Sequence, residues 1–288
     1  MKTAVVSILL LLFAAGAACL QSSGLASAGA HSSARPGSTV KTEFLASPQA
    51  DLVVALLGGF RSIAAEVVWF RADRLQDSGR YSELAQLAAW LTFLEPRTPE
   101  VWAYAAWNLS YNISVMMPDP DDRWRWVEAG LKLLRDDGLR LNPSDPVLHR
   151  EVAWLFLAKI GGSLDDASPR YRELWKGKVE AARASGDWSS LRMDPERMAA
   201  IDADYGKQDW TNPLASALYW SSCGLDAASA PAVRRELRHL VVQTLTLEAV
   251  ADPKMAPRAL AEMRSAHAEA PSRALEEMID RFKAKFGL

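Results

Sequence analysis

Cysteine is close to absent from this chain. Of its 288 residues only Cys19 and Cys223 carry a thiol, and Cys19 lies inside an apolar N-terminal run. The body therefore holds one thiol and no internal disulfide framework, and Cys223 reads as a small buried hydrophobe. Histidine is almost as scarce. His31, His149, His239 and His267 stand far apart and form no HExxH or His-x-His pair, so the usual zinc-enzyme ligand sets are missing. No CxxCH is present for covalent haem attachment, and no phosphate or dinucleotide loop is found. Gly58-Gly59 and Gly161-Gly162 read as helix ends or close contacts. Basic excess is lacking too: 33 Lys and Arg stand against 35 Asp and Glu, a net charge of −2. From residue 42 onward the balance is five units acidic, because the preceding segment holds Lys2, Arg35 and Lys41 and no acid. Binding to a phosphate backbone needs a clustered basic face, so no nucleic-acid partner is expected. No metal or cofactor is expected either. Runs of alternating β-branched residues are also wanting, which argues against a sheet.

What is present is apolar and helical in pattern. Hydrophobic residues make up 49% of the chain and charged ones 24%, enough to bury a large core. All 11 tryptophans fall between Trp69 and Trp220, which predicts a thick helical core or an aromatic-lined groove, with core the default for any single ring.

The N-terminus reads as an export segment. Lys2 precedes an apolar run of 17 residues ending at Leu20, with the charged start and apolar centre of a secretory signal. Residues 1–20 are expected to be a signal peptide or membrane anchor, and residues 21–47, rich in Ser, Gly and Ala, a flexible tether. Three readings stand. A peptidase cuts after Ala28 or Ala30; or the run is kept as an anchor with Lys2 in the cytoplasm; or Cys19, ending Gly16-Ala17-Ala18-Cys19, is lipidated. That last stretch resembles a bacterial lipobox, with Gly16 where Leu is usual. Each reading exports the body to the periplasmic face of a bacterial membrane, or into the periplasm where the signal is cleaved.

From Pro48 onward apolar residues recur at three and four, as in Leu84, Leu87, Ala88, Leu91 and Leu94. Thr98-Pro99, Asp145-Pro146, Asp194-Pro195 and Asn212-Pro213 each place a capping residue before a proline at the first helical position. The expected fold class is all-α. The segment GRYSELAQLAAWLTFLEP, residues 79–96, resembles the second half of a tetratricopeptide repeat: Gly79 frees the turn, Tyr81 opens the second helix and Pro96 ends the unit. Ala72 then takes the small-residue site of the first helix. A second unit opens with TPEVWAYAAW, where Trp102 and Ala106 match the family's first-helix Trp and small residue. It ends at Pro143, 47 residues after Pro96, which exceeds the family's 34-residue period. The excess is expected as an insertion over residues 112–125. A third unit opens at Pro146, with His149 at the Trp site as a packing residue and Ala153 at the small site. LLGGFRSIAAEVVWFRAD and AWNLSYNISV also look like segments of a family of exported bacterial repeat proteins, which brings no activity with it.

The resemblance implies a helical-hairpin, tetratricopeptide-like repeat stack over residues 48–185, followed by a divergent C-terminal helical region over residues 186–288. There, residues 195–226 and 231–250 are expected to form a divergent hairpin and residues 273–286 an amphipathic capping helix. In such arrays the first helix of each hairpin lines the concave face. On this register that face carries Trp69 and Asp73, then Tyr104, Trp107 and Tyr111, then Arg150 and Trp154, a set suited to a peptide or glycan.

The acidic runs are the remaining chemistry. Asp119, Asp121 and Asp122, and the pair Asp165 and Asp166, lack the glycine and distal glutamate of a calcium loop and read as capping or solvated carboxylates. Asn108 and Asn112 share one face of an apolar helix. They are expected to hold residues 117–122 against the stack or, alternatively, to bind an extended ligand. The function expected from all this is a non-enzymatic interaction scaffold of an envelope assembly, with no catalytic residue. It binds a protein partner and is held at the membrane by an N-terminal anchor or lipid. The alternative is an envelope enzyme or a glycan- or peptide-binding protein using acidic and aromatic groove residues.

Overall fold

The computed structural model describes residues 60–163 and 165–288, and over these the chain is helical throughout, with no strand. The expected export segment, the expected tether and Cys19 lie outside the described residues. No helix among the described residues is long and apolar enough to cross a membrane. Eleven principal helices follow one another: α1 Phe60–Asp77, α2 Tyr81–Leu94, α3 Pro99–Trp107, α4 Pro120–Lys132, α5 Pro146–Trp154, α6 Ser168–Ser185, α7 Pro195–Tyr205, α8 Pro213–Ala227, α9 Pro231–Ala251, α10 Ala256–Glu269 and α11 Arg273–Phe286.

The helix starts are set by local chemistry. A proline opens α3, α4, α5, α7, α8 and α9, where its missing N–H costs nothing. Asp119 accepts from the amides of Asp121 and Asp122, Asp145 from Val147 and Leu148, Asp194 from Glu196, and Asn212 from Leu214. Each such cap stabilises its helix by about 1 kcal/mol. Thr98 makes no such cap; its hydroxyl donates to Glu95 instead.

Three helices do not stop where their α-helical pattern ends. α3 widens into a π-helical turn, Asn108–Ile113, and then a 3-10 turn, Ser114–Met116. α4 continues through a π turn, Leu133–Gly138, and α5 through another, Leu155–Ile160. Residues 112–125, the place of the expected insertion, are mostly helical: the π turn and the 3-10 turn carry the chain on from α3 before α4 begins at Pro120. The C-terminal hairpin also differs. Residues 195–226 do not form one helix: α7 ends at Gly206, whose φ of +93° is open to glycine, and Asn212 caps a new start. The antiparallel partners are α8 and α9.

α1 packs on α2, α2 on α3, α3 on α5, α5 on α8, α8 on α9, α9 on α10, and α10 on α11, while α4 lies against the widened part of α3 and α6 lies against α4. Ala72, Ala106 and Ala153 are completely shielded, so backbones approach closely at those points. Two turns are tied alike. The Trp102 indole N–H donates to the Pro96 carbonyl at 3.0 Å, and His149 Nε2 lies 3.2 Å from the Pro143 carbonyl. His149 also stacks on Trp220, and its burial lowers its pKa. One continuous core runs from Trp102 to Phe282, and a smaller one gathers Ala65, Ala72, Leu91 and Val101. Leu275, Ile279 and Phe282 bury the apolar stripe of α11 on the end of the larger core.

Candidate functional site

Trp107 ends α3 and Trp154 ends α5, and both remain accessible, at 43% and 37%. Tyr111, in the π turn after α3, stacks on Trp107 with ring centres 5.4 Å apart and planes inclined by 23°. Arg150 precedes Trp154 by one helical turn. It donates from Nε and Nη2 to Glu151 at 3.0 and 2.5 Å, and from Nη1 to Glu236 on α9. Trp107, Arg150, Glu151, Trp154, Glu236 and Leu240 line a groove of about 210 Å³; Tyr111 is not in its wall and touches it through the stack on Trp107. One guanidinium faces two carboxylates, so the lining has a one-unit negative excess. Burial, then the nearby Glu151 charge, pushes the Tyr111 phenol far above its usual range. It stays protonated, with the Trp154 side chain acting against that rise.

Four of the seven residues expected on one face thus gather: Trp107, Tyr111, Arg150 and Trp154. Tyr104 does not join them. It sits half-buried against the smaller core around α1 and α2, held there by packing on the preceding hairpin although i, i+3 spacing puts it near the Trp107 face. The side chains of Trp69 and Asp73 are outside those described. Sequence reasoning missed Glu151, Glu236 and Leu240. Glu151 adjoins Arg150, but Glu236 lies 86 residues from it and no spacing rule links the two.

Asn108 and Asn112 bond to each other and not to the following loop: Asn112 Nδ2 donates to Asn108 Oδ1 at 3.1 Å, and Asn108 Nδ2 is buried without a partner. Arg123 holds that loop instead, donating from Nε to the Met117 carbonyl at 2.6 Å. Its Nη1 reaches Asp165 at 3.1 Å and Asp166 at 2.5 Å.

The acidic residues are spent on structure. Asp119 caps α4, Asp121 takes two bonds from Arg170 at 2.6 and 3.1 Å, and Asp122 pairs with Arg125 at 2.5 Å. Asp165 is buried, a departure from the solvated carboxylate expected. Its Oδ2 accepts from Lys159 Nζ at 2.5 Å and from the Tyr171 hydroxyl at 3.0 Å; its Oδ1 accepts from Arg123 and from the Ala167 amide at 3.0 Å. Burial works to raise its pKa, but the Lys159 ammonium and these donors outweigh it and hold the carboxyl well below the usual range. Lys159 Nζ also stands 5.1 Å from the Tyr111 ring centre, which connects this buried centre to the back of the groove. Among the described residues no group of three His, Cys, Asp or Glu side chains is placed to hold a metal ion.

Glu248 on α9 is the carboxyl that burial raises, up to about 7 from 4.5, and its buried Oε2 has no partner. It is outside the groove lining and no second carboxylate bonds to it, so it does not form an acid–base pair. Its stability contribution is full below 4.5 and is lost as pH rises through about 7. Urea denaturation of Glu248→Gln should match the parent near pH 4 and exceed it by about 1–2 kcal/mol near pH 8. Equal stability at both values would mean that the carboxyl is solvated.

In comparison with known proteins, no family model, no curated protein and no solved structure matches this chain.

Proposed function

We propose that this chain is a non-enzymatic interaction scaffold of a bacterial envelope assembly, exported and held at or near the periplasmic face by its N-terminal segment or by lipidated Cys19. On this reading its helices form tetratricopeptide-like repeats that present a shared binding face. The repeat reading is supported by equivalences at a spacing of 47 residues. They pair Pro96 with Pro143, Trp102 with His149, Ala106 with Ala153, and Trp107 with Trp154. The π turns after α3 and α5 begin at the same offset.

The observation that carries the function is the accessible Trp107–Tyr111 stack beside Trp154 and Arg150. Tryptophan, tyrosine and arginine are the side chains that most often dominate binding energy at protein interfaces. A second reading, an extended glycan or peptide strand in the same groove, is favoured by the flat ring pair next to Glu151 and Glu236.

Trp107→Ala and Trp154→Ala are expected to cut capture of the native envelope partner by at least about tenfold each. Helical circular dichroism and the thermal midpoint should remain near the parent values. Partner capture that is unchanged in both variants would overturn the proposal. A collapse in stability without an effect on capture would assign the two rings to the core.

A further inference from the structure

A second cleft, built on different elements, lies between α4 with its π extension and α6, and is closed at one end by the 3-10 turn Ser189–Leu191. Its volume of about 510 Å³ is within the range of about 300–1,000 Å³ typical of small-molecule sites. The floor is apolar: Trp124, Leu131, Trp175 and Leu191 are all at most 5% exposed. Three of the five charged lining residues are cationic. Lys132 and Lys178 share a single carboxylate, that of Glu128, at 3.0 and 2.8 Å. Their two ammonium groups lower its pKa against the opposing effect of burial. Arg135 is 5% exposed. It donates through Nε and Nη2 to Asp136 and through Nη2 to the Ser190 carbonyl, which leaves Nη1 without a partner among the described residues. The lining thus holds three cations and two carboxylates, Glu128 and Asp187, with Asp136 outside the lining as the partner of Arg135, and Arg135 Nη1 is the guanidinium nitrogen left unbonded.

A buried guanidinium with an open donor edge next to two lysines is a receptor for an oxyanion. Aromatic and aliphatic walls suit an unbranched apolar body. We propose that the α4–α6 cleft binds an amphipathic organic anion, with a single carboxylate at Arg135, Lys132 and Lys178 and a hydrocarbon tail along Trp124 and Trp175. The Trp107 groove contributes no residue to it, so either site can fail without the other.

The test is equilibrium dialysis of the full chain with dodecanoate and, as a probe of equal tail and opposite charge, dodecyltrimethylammonium. Dodecanoate is expected to bind at one molecule per chain with Kd below about 100 µM, and the cation at least about tenfold more weakly. Ala181 lines the cleft and is exposed, so Ala181→Trp fills the space without entering the core. That variant should weaken dodecanoate binding at least about tenfold with an unchanged thermal midpoint; the double reversal Lys132→Glu with Lys178→Glu, which sets two more carboxylates beside Glu128 and lowers the midpoint, should weaken binding by at least as much. Trp107→Ala should leave it unchanged. Equal binding of the two amphiphiles, or binding that survives both cleft variants, would overturn the proposal.

Discussion

Asp165→Ala is expected to lower the free energy of unfolding by about 3–5 kcal/mol, because it strands a buried ammonium. Lys159 is 2% exposed and Asp165 6%, and the 2.5 Å contact between them is reinforced by Tyr171, Arg123 and the Ala167 amide. Arg123 keeps Asp166 and the Met117 carbonyl after the change, whereas Lys159 has no comparable substitute. The loss should therefore come from lysine, and adding Lys159→Met should recover most of it, as removal of both members of a buried pair often does. A pH series supplies an independent check. The Asp165 carboxyl is depressed below 3.8 in the folded state, so its contribution is complete above that value and fades as pH falls through the lower, folded value. The difference between parent and Asp165→Ala, measured by urea denaturation, should be flat at neutral pH and shrink in acid. A neutral-pH loss below about 1 kcal/mol would put the pair in the class of solvated surface bridges.

This centre also shows where the sequence can be read and where it cannot. Lys159 stands in LFLAKI, an apolar run where an unpaired ammonium would be prohibitive, so the demand for an acid was visible locally. Which acid supplies it was hidden. Asp165 is six residues on, past the end of the helix, and its other cation, Arg123, is 42 residues back, so only folding identifies the set. The helix starts were legible because an Asp-Pro or Asn-Pro pair acts on its own backbone. Trp107 and Trp154 were legible because each follows its opening proline by the same eight positions, which fixes the same face. The π turns were not: NLSYNI, LLRDDG and LFLAKI share no residue pattern, and a change from four- to five-residue bonding is decided by what packs outside the helix. Half of the acidic wall of the groove, Glu236, arrives from α9, beyond the reach of any local rule. Tyr104 was placed on the groove by periodicity and is held on the first hairpin by packing.

Gly130→Ala is the second large effect, and its sign depends on a comparison of magnitudes. In the interior of a helix such as α4, alanine is favoured over glycine by about 1 kcal/mol, so an open site would be stabilised. Gly130 is not open: a Cβ there would collide with Ser110 Oγ and meet the Ala106 carbonyl oxygen at 2.8 Å. The hydroxyl can rotate away, but the carbonyl belongs to the α3 backbone and yields only if α3 and α4 separate. Overpacking of this kind costs about 1–3 kcal/mol or more, and contact with backbone places it at the upper end. A net loss of about 2 kcal/mol is expected, read as a lower denaturant midpoint at constant slope. Ser110→Ala alone should be nearly neutral, since its buried Oγ has no partner to lose. The double variant should recover only part of the loss, because the Ala106 contact persists. The separation has a consequence for binding as well. Ser110 and Tyr111 are neighbours in the π turn that packs on α4, so a displaced α4 should disturb the Tyr111–Trp107 stack and weaken partner capture more than the stability loss alone would. If Gly130→Ala is stabilising and capture is unchanged, the two helices part freely and the stack is positioned from the α5 side.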